Sequence, residues 1–247
     1  MNTLDARTKQ LADNLKGVRE RISIASDAAG RKPPTLIVVT KFHPAKDVRR
    51  LMELGVRDVG ENRDQEAGAK AIEVAQSSLR WHFIGQLQKN KAKSVSAYAH
   101  SVHSIDRKSL VPALDRAVRA QADVNGRAPL ECYIQVDLSA GPAACDPDAS
   151  TGGRGGAAPS LIPELAFLIA QTAGLRLAGL MAVAPLGVDP APAFECLARY
   201  SDELVAQYPG ATGISAGMSN DLEAAITAGA THLRVGSDIL GPRPGIL

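Results

Sequence analysis

Leu4, Leu11, Leu15, Val18, Ile22 and Ala25 recur at intervals of seven, four and three, with Arg7, Lys9, Asp13, Lys16 and Arg19 between them. That spacing puts the apolar positions on one face and predicts an amphipathic helix at the start of the chain. Gly30 and Pro33-Pro34 end it, and the β-branched run Leu36 to Thr40 follows as a strand buried on both faces. The two periods then alternate. Pro44 suits a first helical position, Val48, Leu51 and Met52 make a stripe, and Gly55 supplies a stop before a second strand at 57–60. Further strands read at 80–85, 100–105, 130–138, 177–184, 211–215 and 231–236, with helical stretches at 64–77, 88–98, 107–123, 160–173, 191–207 and 220–228.

Eight βα units in a chain of 247 residues predict a single-domain TIM (β/α)8 barrel over 1–247. Only eleven residues follow the eighth strand, so the outer ring lacks a normal last helix, and the N-terminal helix is expected to cover that gap. Residues 139–159, mostly Gly, Ala and Pro without a periodic apolar face, read as a flexible loop after strand five. The Gly153-x-Gly155-x-x-Ala158 within it only superficially matches a dinucleotide fingerprint, because it does not join a strand directly to a helix.

Charge and composition narrow the function. A net charge of +2, dispersed basic residues and nine aromatics among 247 residues argue against nucleic-acid binding. No apolar run reaches the ~20 residues needed to cross a bilayer, and the charged N-terminus does not resemble a signal peptide, so a cytoplasmic protein is expected. Cys132, Cys145 and Cys196 lack the close pairing of a zinc site and are expected as free thiols, with Cys132 and Cys196 buried.

In a TIM barrel the chemistry sits at the C-terminal ends of the strands. Lys41 ends strand one and should point into the barrel mouth, where low dielectric favours a nucleophilic amine. A lysine snorkelling to solvent is the ordinary alternative. The loops after strands seven and eight hold Ser215-Ala216-Gly217-Met218-Ser219 and Gly236-Ser237, with Ser219 or Asn220 capping the next helix and Glu223 completing a capping box. Such loops suit phosphate, although turn chemistry accounts for either one alone. Arg234, inside strand eight, needs a partner there. A Schiff-base lysine, a phosphate cradle and an arginine between them match the aldehyde, phosphate and pyridine nitrogen of pyridoxal 5′-phosphate.

Along nearly the whole chain the sequence resembles the pyridoxal phosphate homeostasis protein family, also called the proline synthetase co-transcribed family. The matching segments are VTKFHP (39–44), GENRDQE (60–66), WHFIGQLQKNK (81–91), IQVDLS (134–139), LRLAGLMAV (175–183) and ISAGMSNDLEAAITAGATHLRVGSDILG (214–241). The resemblance implies a barrel similar to the N-terminal domain of alanine racemase, with Lys41 holding the cofactor as a Schiff base and Arg234 facing the pyridine nitrogen. Ser215, Gly236 and Ser237, with the backbone of Met218 and Ser219, would take the phosphate, and Asn62, His82 and Met181 would lie near the ring. A core histidine is an equally ordinary reading of His82. The sequence departs from the family at His43, where many members have a second lysine, and in the long loop after strand five.

The resemblance also implies reversible binding, buffering and delivery of the cofactor to pyridoxal-phosphate-dependent apoenzymes without strong turnover, and a closed barrel without a dimerisation domain favours a monomer. An amino-acid racemase or lyase on the same lysine is the alternative. An arginine at the pyridine nitrogen weakens the electron sink, and the extra β domain that supplies a second base in racemases is absent from the pattern. A Schiff-base sugar aldolase would usually have its lysine on strand six, which ends Met181-Ala182-Val183-Ala184-Pro185.

Overall fold

Helix α1 (Ala6–Ala28) begins where Asp5 caps it, its carboxylate accepting from the N–H groups of Arg7 and Thr8 at 3.0 and 3.1 Å. Leu11, Leu15, Val18 and Ile22 are its buried stripe, as the spacing predicts. The structure, a computed structural model, describes residues 5–75, 78–138 and 155–242.

Among them, β1 (Thr35–Val39), α2 (Ala45–Glu53), β2 (Asp58–Glu61), α3 (Asp64–Val74), β3 (Arg80–Phe83), α4 (Ala92–Tyr98), β4 (Ala99–Ile105), α5 (Leu110–Asn125) and β5 (Leu130–Gln135) alternate in order. After them come α6 (Ile162–Ala170), β6 (Leu175–Met181), α7 (Ala191–Gln207), β7 (Gly213–Ser215), α8 (Leu222–Thr227), β8 (His232–Val235) and α9 (Ser237–Leu240). The eight strands form a closed, all-parallel barrel, β8 returning to β1 with Ile37 opposite Arg234.

Closure gives each strand two different faces. Val38, Val59, Trp81, Phe83, Val102, Ile134, Leu180 and Leu233 join the large apolar core that includes the helices. The inward set is far more polar than the expected both-face apolar strands: Asp58, His82, Ser101, His103, Gln135, Ser215 and Arg234 are all buried. Burial of these groups is tolerated because they hydrogen-bond to one another or to the backbone.

The missing eighth helix is replaced as expected. α9 has only four residues, and α1 lies across it and α8: Arg21 pairs with Glu223 at 2.9 Å and Asp238 at 2.7 Å, and Asn14 Nδ2 donates to the Ile239 carbonyl at 3.0 Å.

Two expectations change. Of the predicted loop 139–159, residues 139–154 lie outside the described residues, while 155–158 run beside the end of β5, with Ala157 bridged to Val136 and Gln135 Nε2 donating to the Gly155 carbonyl at 3.0 Å. The repetitive composition hid this return because Ala157 pairs with Val136, 21 positions earlier, and not with a neighbour in sequence. Cys132 is a free buried thiol, but Cys196 is disulfide-bonded, against the expectation of free thiols; Cys145 lies outside the described residues. Thiol pairing depends on tertiary proximity, which spacing does not reveal.

Candidate functional site

Lys41 follows β1 directly, on the inward series of residues 35, 37 and 39, and reaches the C-terminal mouth of the barrel. The turn that presents it is held from outside the barrel. Lys70 of α3 donates to the Thr40 carbonyl at 2.8 Å and pairs with Glu61 at 2.8 Å and Glu66 at 2.6 Å. The Phe42 N–H, on a residue with φ +68°, donates to Glu66 Oε1 at 2.6 Å. A left-handed phenylalanine costs about 1–3 kcal/mol, and this Glu66 bond and the Arg63 guanidinium 5.1 Å from the ring centroid offset it. Burial pushes the Glu61 carboxyl up despite the Lys70 ammonium.

Above the barrel a cavity of about 330 Å³ is lined by Val39, Lys41, Phe42, His43, Ile84 and Leu186 on one side and by Met218, Ser219, Asn220, Asp221, Arg234, Gly236 and Ser237 on the other. Six of the ten expected site residues, Lys41, Met218, Ser219, Arg234, Gly236 and Ser237, therefore meet in one place. The Ser219 and Ser237 hydroxyls are 3.1 Å apart, although one residue is in the turn after β7 and the other opens α9 after β8. Gly236 passes so close to β1 that an added Cβ would lie 3.1 Å from the Val39 carbonyl oxygen. Asn62 follows β2 half-buried, and its Oδ1 is buried without a hydrogen-bond partner among the described residues.

Arg234 is 4% exposed, and its hydrogen bonds go to two neutral oxygens: Nη1 to Ser215 Oγ at 2.7 Å and Nη2 to the Ala182 carbonyl at 2.8 Å. Burial lowers its pKa to about 10, a value that still leaves it a cation at neutral pH. A guanidinium has five N–H donors, so this buried cation keeps donors beyond those two bonds on the wall of the cavity.

Three expected residues are placed elsewhere. Ser215, expected to take phosphate, is fully buried beneath Arg234, with its hydroxyl bonded to Arg234 and to His103 Nδ1 at 2.8 Å. His82, expected near the ring, sits lower in the barrel beside Asp58, Ser101 and His103 and faces a second cavity of about 290 Å³ at the opposite mouth. Met181 is buried in the barrel against Tyr133 and Ala178. All three belong to the inward series, and Met181 and Ser215 even end β6 and β7, but none of them is among the residues that line the mouth cavity. The capping reading also changes: α8 is capped at Asp221, whose carboxylate accepts from the Met218 N–H at 2.5 Å, and Ser219 and Asn220 are left on the cavity wall. Glu223 pairs with Arg21 of α1.

The sequence matches the family described as "Alanine racemase, N-terminal domain" over residues 13–244. It is 43% identical over 249 residues to the "Pyridoxal phosphate homeostasis protein" of Mycobacterium leprae, covering 96% of this chain and 94% of that one. The protein of the same description from Escherichia coli K12 is 34% identical, with 94% and 97% covered. The chain belongs to the pyridoxal phosphate homeostasis protein family. A solved relative, PipY of Synechococcus elongatus PCC7942, described with PLP bound, superposes with a TM-score of 0.75 at 31% identity, covering 94% of this chain and all of that one. The alanine racemase of Corynebacterium glutamicum has the same fold at 12% identity and a TM-score of 0.64, with only 60% of its chain covered.

Family motifs lead to the lysine and to the two loops, but not to what holds them. Glu66 and Lys70 stand at i and i+4 on α3, a pairing legible in sequence, yet nothing there says that the pair grips the turn before Lys41. His103, in the unremarkable segment AHSVHSI, has no sequence signal at all for its contact with Ser215, 112 positions away.

Proposed function

We propose that the cavity at the C-terminal mouth binds pyridoxal 5′-phosphate and that the protein takes part in homeostasis of that cofactor. The observation that carries this reading is the convergence on one cavity of Lys41, the buried Arg234 with only neutral hydrogen-bond partners, and the Ser219–Ser237 hydroxyl pair. The residues fit the group. Lys41 would supply the amine for the aldehyde, Arg234 an N–H for the pyridine nitrogen, and Ser219 and Ser237 with the backbone at Gly236 the donors for phosphate, while Asn62, behind the lining residue Ile84 at Gly85, would offer its orphaned Oδ1. When bound, the cofactor supplies a reactive aldehyde and an aromatic ring whose strength as an electron sink depends on protonation of its nitrogen.

Arg234 donates but cannot accept, so it favours an unprotonated pyridine nitrogen and a weak electron sink. That suits holding and releasing the cofactor better than fast carbanion chemistry. On this reading the protein works as a monomer in the cytoplasm and passes the cofactor to apoenzymes that need it.

Borohydride reduction of the protein loaded with pyridoxal 5′-phosphate, followed by peptide mass mapping, tests the attachment. A stoichiometric label on Lys41, lost in Lys41→Ala, is expected. A label chiefly on Lys89, Lys91 or Lys93, which lie on an exposed turn and the start of α4, would overturn the site.

A further inference from the structure

From the cavity floor at Arg234 a file of hydrogen bonds crosses the barrel interior. Arg234 Nη1 donates to Ser215 Oγ at 2.7 Å, and Ser215 Oγ lies 2.8 Å from His103 Nδ1. His103 Nε2 is 2.8 Å from Ser101 Oγ, Ser101 Oγ is 2.7 Å from His82 Nδ1, and His82 Nε2 is 2.8 Å from Asp58 Oδ1. Strands β8, β7, β4, β3 and β2 each contribute to it. The file ends at the second cavity, which Asp58 and His82 line together.

Its two ends are chemically fixed. The guanidinium can only donate, and the Asp58 carboxylate, ionised at neutral pH, can only accept. The rest follows link by link. With a lone pair of Ser215 taken by Arg234, its single hydroxyl proton goes to His103 Nδ1, so that nitrogen is unprotonated. A neutral His103 then has its proton on Nε2 and donates to Ser101, and the Ser101 hydroxyl donates to His82 Nδ1. His82 then has its proton on Nε2 and donates to Asp58. The 3.1 Å approach of His82 Nδ1 to His103 Nε2 agrees, since it sets a lone pair against an N–H.

We propose that this file is polarised in one direction, from Arg234 to Asp58, with His103 and His82 both neutral and protonated on Nε2. His103 and Ser215 are then positioning residues, which keep a lone pair of the serine turned toward the guanidinium and so hold Arg234 in the cofactor cavity. The reverse orientation, with His103 protonated on Nδ1, requires a doubly protonated His82 and leaves the Ser215 hydroxyl proton without a partner in the file. The surroundings disfavour that cation. His82 faces Arg80 of β3 and His100 and His103 of β4 as well as Asp58, and burial lowers its pKa. His103 is stacked on Tyr133 of β5 at 4.3 Å, meets His232 of β8 edge-on at 6.4 Å and has Arg234 beyond Ser215; burial first, then the cationic forms of His82, Arg234, His232 and His100, puts its pKa well below the ordinary value.

The tautomers do not depend on the proposed cofactor, whereas the consequence for Arg234 rests on that reading, so the test has two arms. In the cofactor-free protein, long-range 1H–15N correlation spectra at pH 7, assigned with His82→Gln and His103→Gln, should show both rings neutral with Nδ1 unprotonated. A proton on His103 Nδ1, or a doubly protonated His82, would overturn the proposal. In the loaded protein, Ser215→Ala should shift the visible absorption maximum and weaken cofactor binding roughly tenfold, about the effect of one charge-assisted hydrogen bond. His103→Phe, which keeps the ring on Tyr133, should reproduce that shift. Band and affinity both unchanged in a folded Ser215→Ala protein would overturn the positioning role. A wild type that develops no visible band at all, with the predicted tautomers intact, would instead overturn the cofactor reading.

Discussion

The Lys70 ammonium donates to the backbone carbonyl of Thr40 at 2.8 Å, so a helix on the outside of the barrel holds the peptide immediately before Lys41. Two carboxylates, Glu61 and Glu66, share the same ammonium, and Glu66 also takes the Phe42 N–H. The backbone that leads into Lys41 is thus fixed by an ion cluster rather than by the strand alone. Removing Lys70 would leave Glu61 buried without its cation. Lys70→Met is therefore expected to cost about 3 kcal/mol of stability, read by urea denaturation, and to reduce labelling of Lys41 at equal cofactor concentration. Lys70→Arg should recover part of both.

Gly85 allows the loop after β2 to cross the end of β3. A Cβ there would lie 2.1 Å from the backbone oxygen of Asn62, a contact that only movement of the main chain can relieve. Gly85→Ala should displace Asn62 and weaken cofactor binding at least tenfold in an equilibrium titration. Binding equal to wild type would mean that Asn62 contributes nothing to the site.

Discrimination between pyridoxal 5′-phosphate and pyridoxal tests the assignment of Ser219 and Ser237. Each hydroxyl donating to a phosphate oxygen is worth about 1.5–3 kcal/mol, so Ser219→Ala and Ser237→Ala should each reduce the preference for the phosphorylated form about tenfold or more while leaving pyridoxal affinity unchanged. Competition by inorganic phosphate should weaken in parallel.

Acid should destabilise the barrel from its N-terminal mouth. Burial holds His232 at about 4, below its ordinary 6.5, so the unfolded chain takes up its proton first and stability falls between pH 6.5 and 4. Burial works against ionisation of Asp58 and Glu131, but the hydrogen bonds from His82 and Arg80 with the Arg80 charge, and those from His100 and Arg176 with the Arg176 charge, outweigh it and hold both near 2. Their stabilisation is complete above the unfolded carboxyl values of 3.8 and 4.5 and is lost as pH falls toward 2. Denaturation midpoints taken from pH 7.5 downward should fall through both windows, and His232→Asn should reduce the slope of the upper one, to which the buried His82 and His103 also contribute.

Exchange of amino-acid α-hydrogen with solvent deuterium separates a carrier from a racemase. The loaded wild type is expected to exchange no faster than free pyridoxal 5′-phosphate across the common amino acids. A fast, saturable exchange abolished by Lys41→Ala would make the protein an enzyme.

The alternation of periods along the chain determined the eight βα units, the N-terminal helix that completes the ring, and Lys41 at the end of the first strand. Those features depend on local apolar spacing and on short-range punctuation such as Gly30, Pro44 and Gly55, which act within a few residues. Closure of the barrel decided the rest. A period of two says that His82, Met181 and Ser215 point inward, but not how deep along the axis each one lies, because depth follows from strand register and tilt. The same closure brings Ser219 beside Ser237, sets Lys70 behind Thr40 and joins Arg234 to Asp58 through residues of five strands. None of these pairs is near in sequence except by accident of loop length, so their energies could enter only once the first strand had met the eighth.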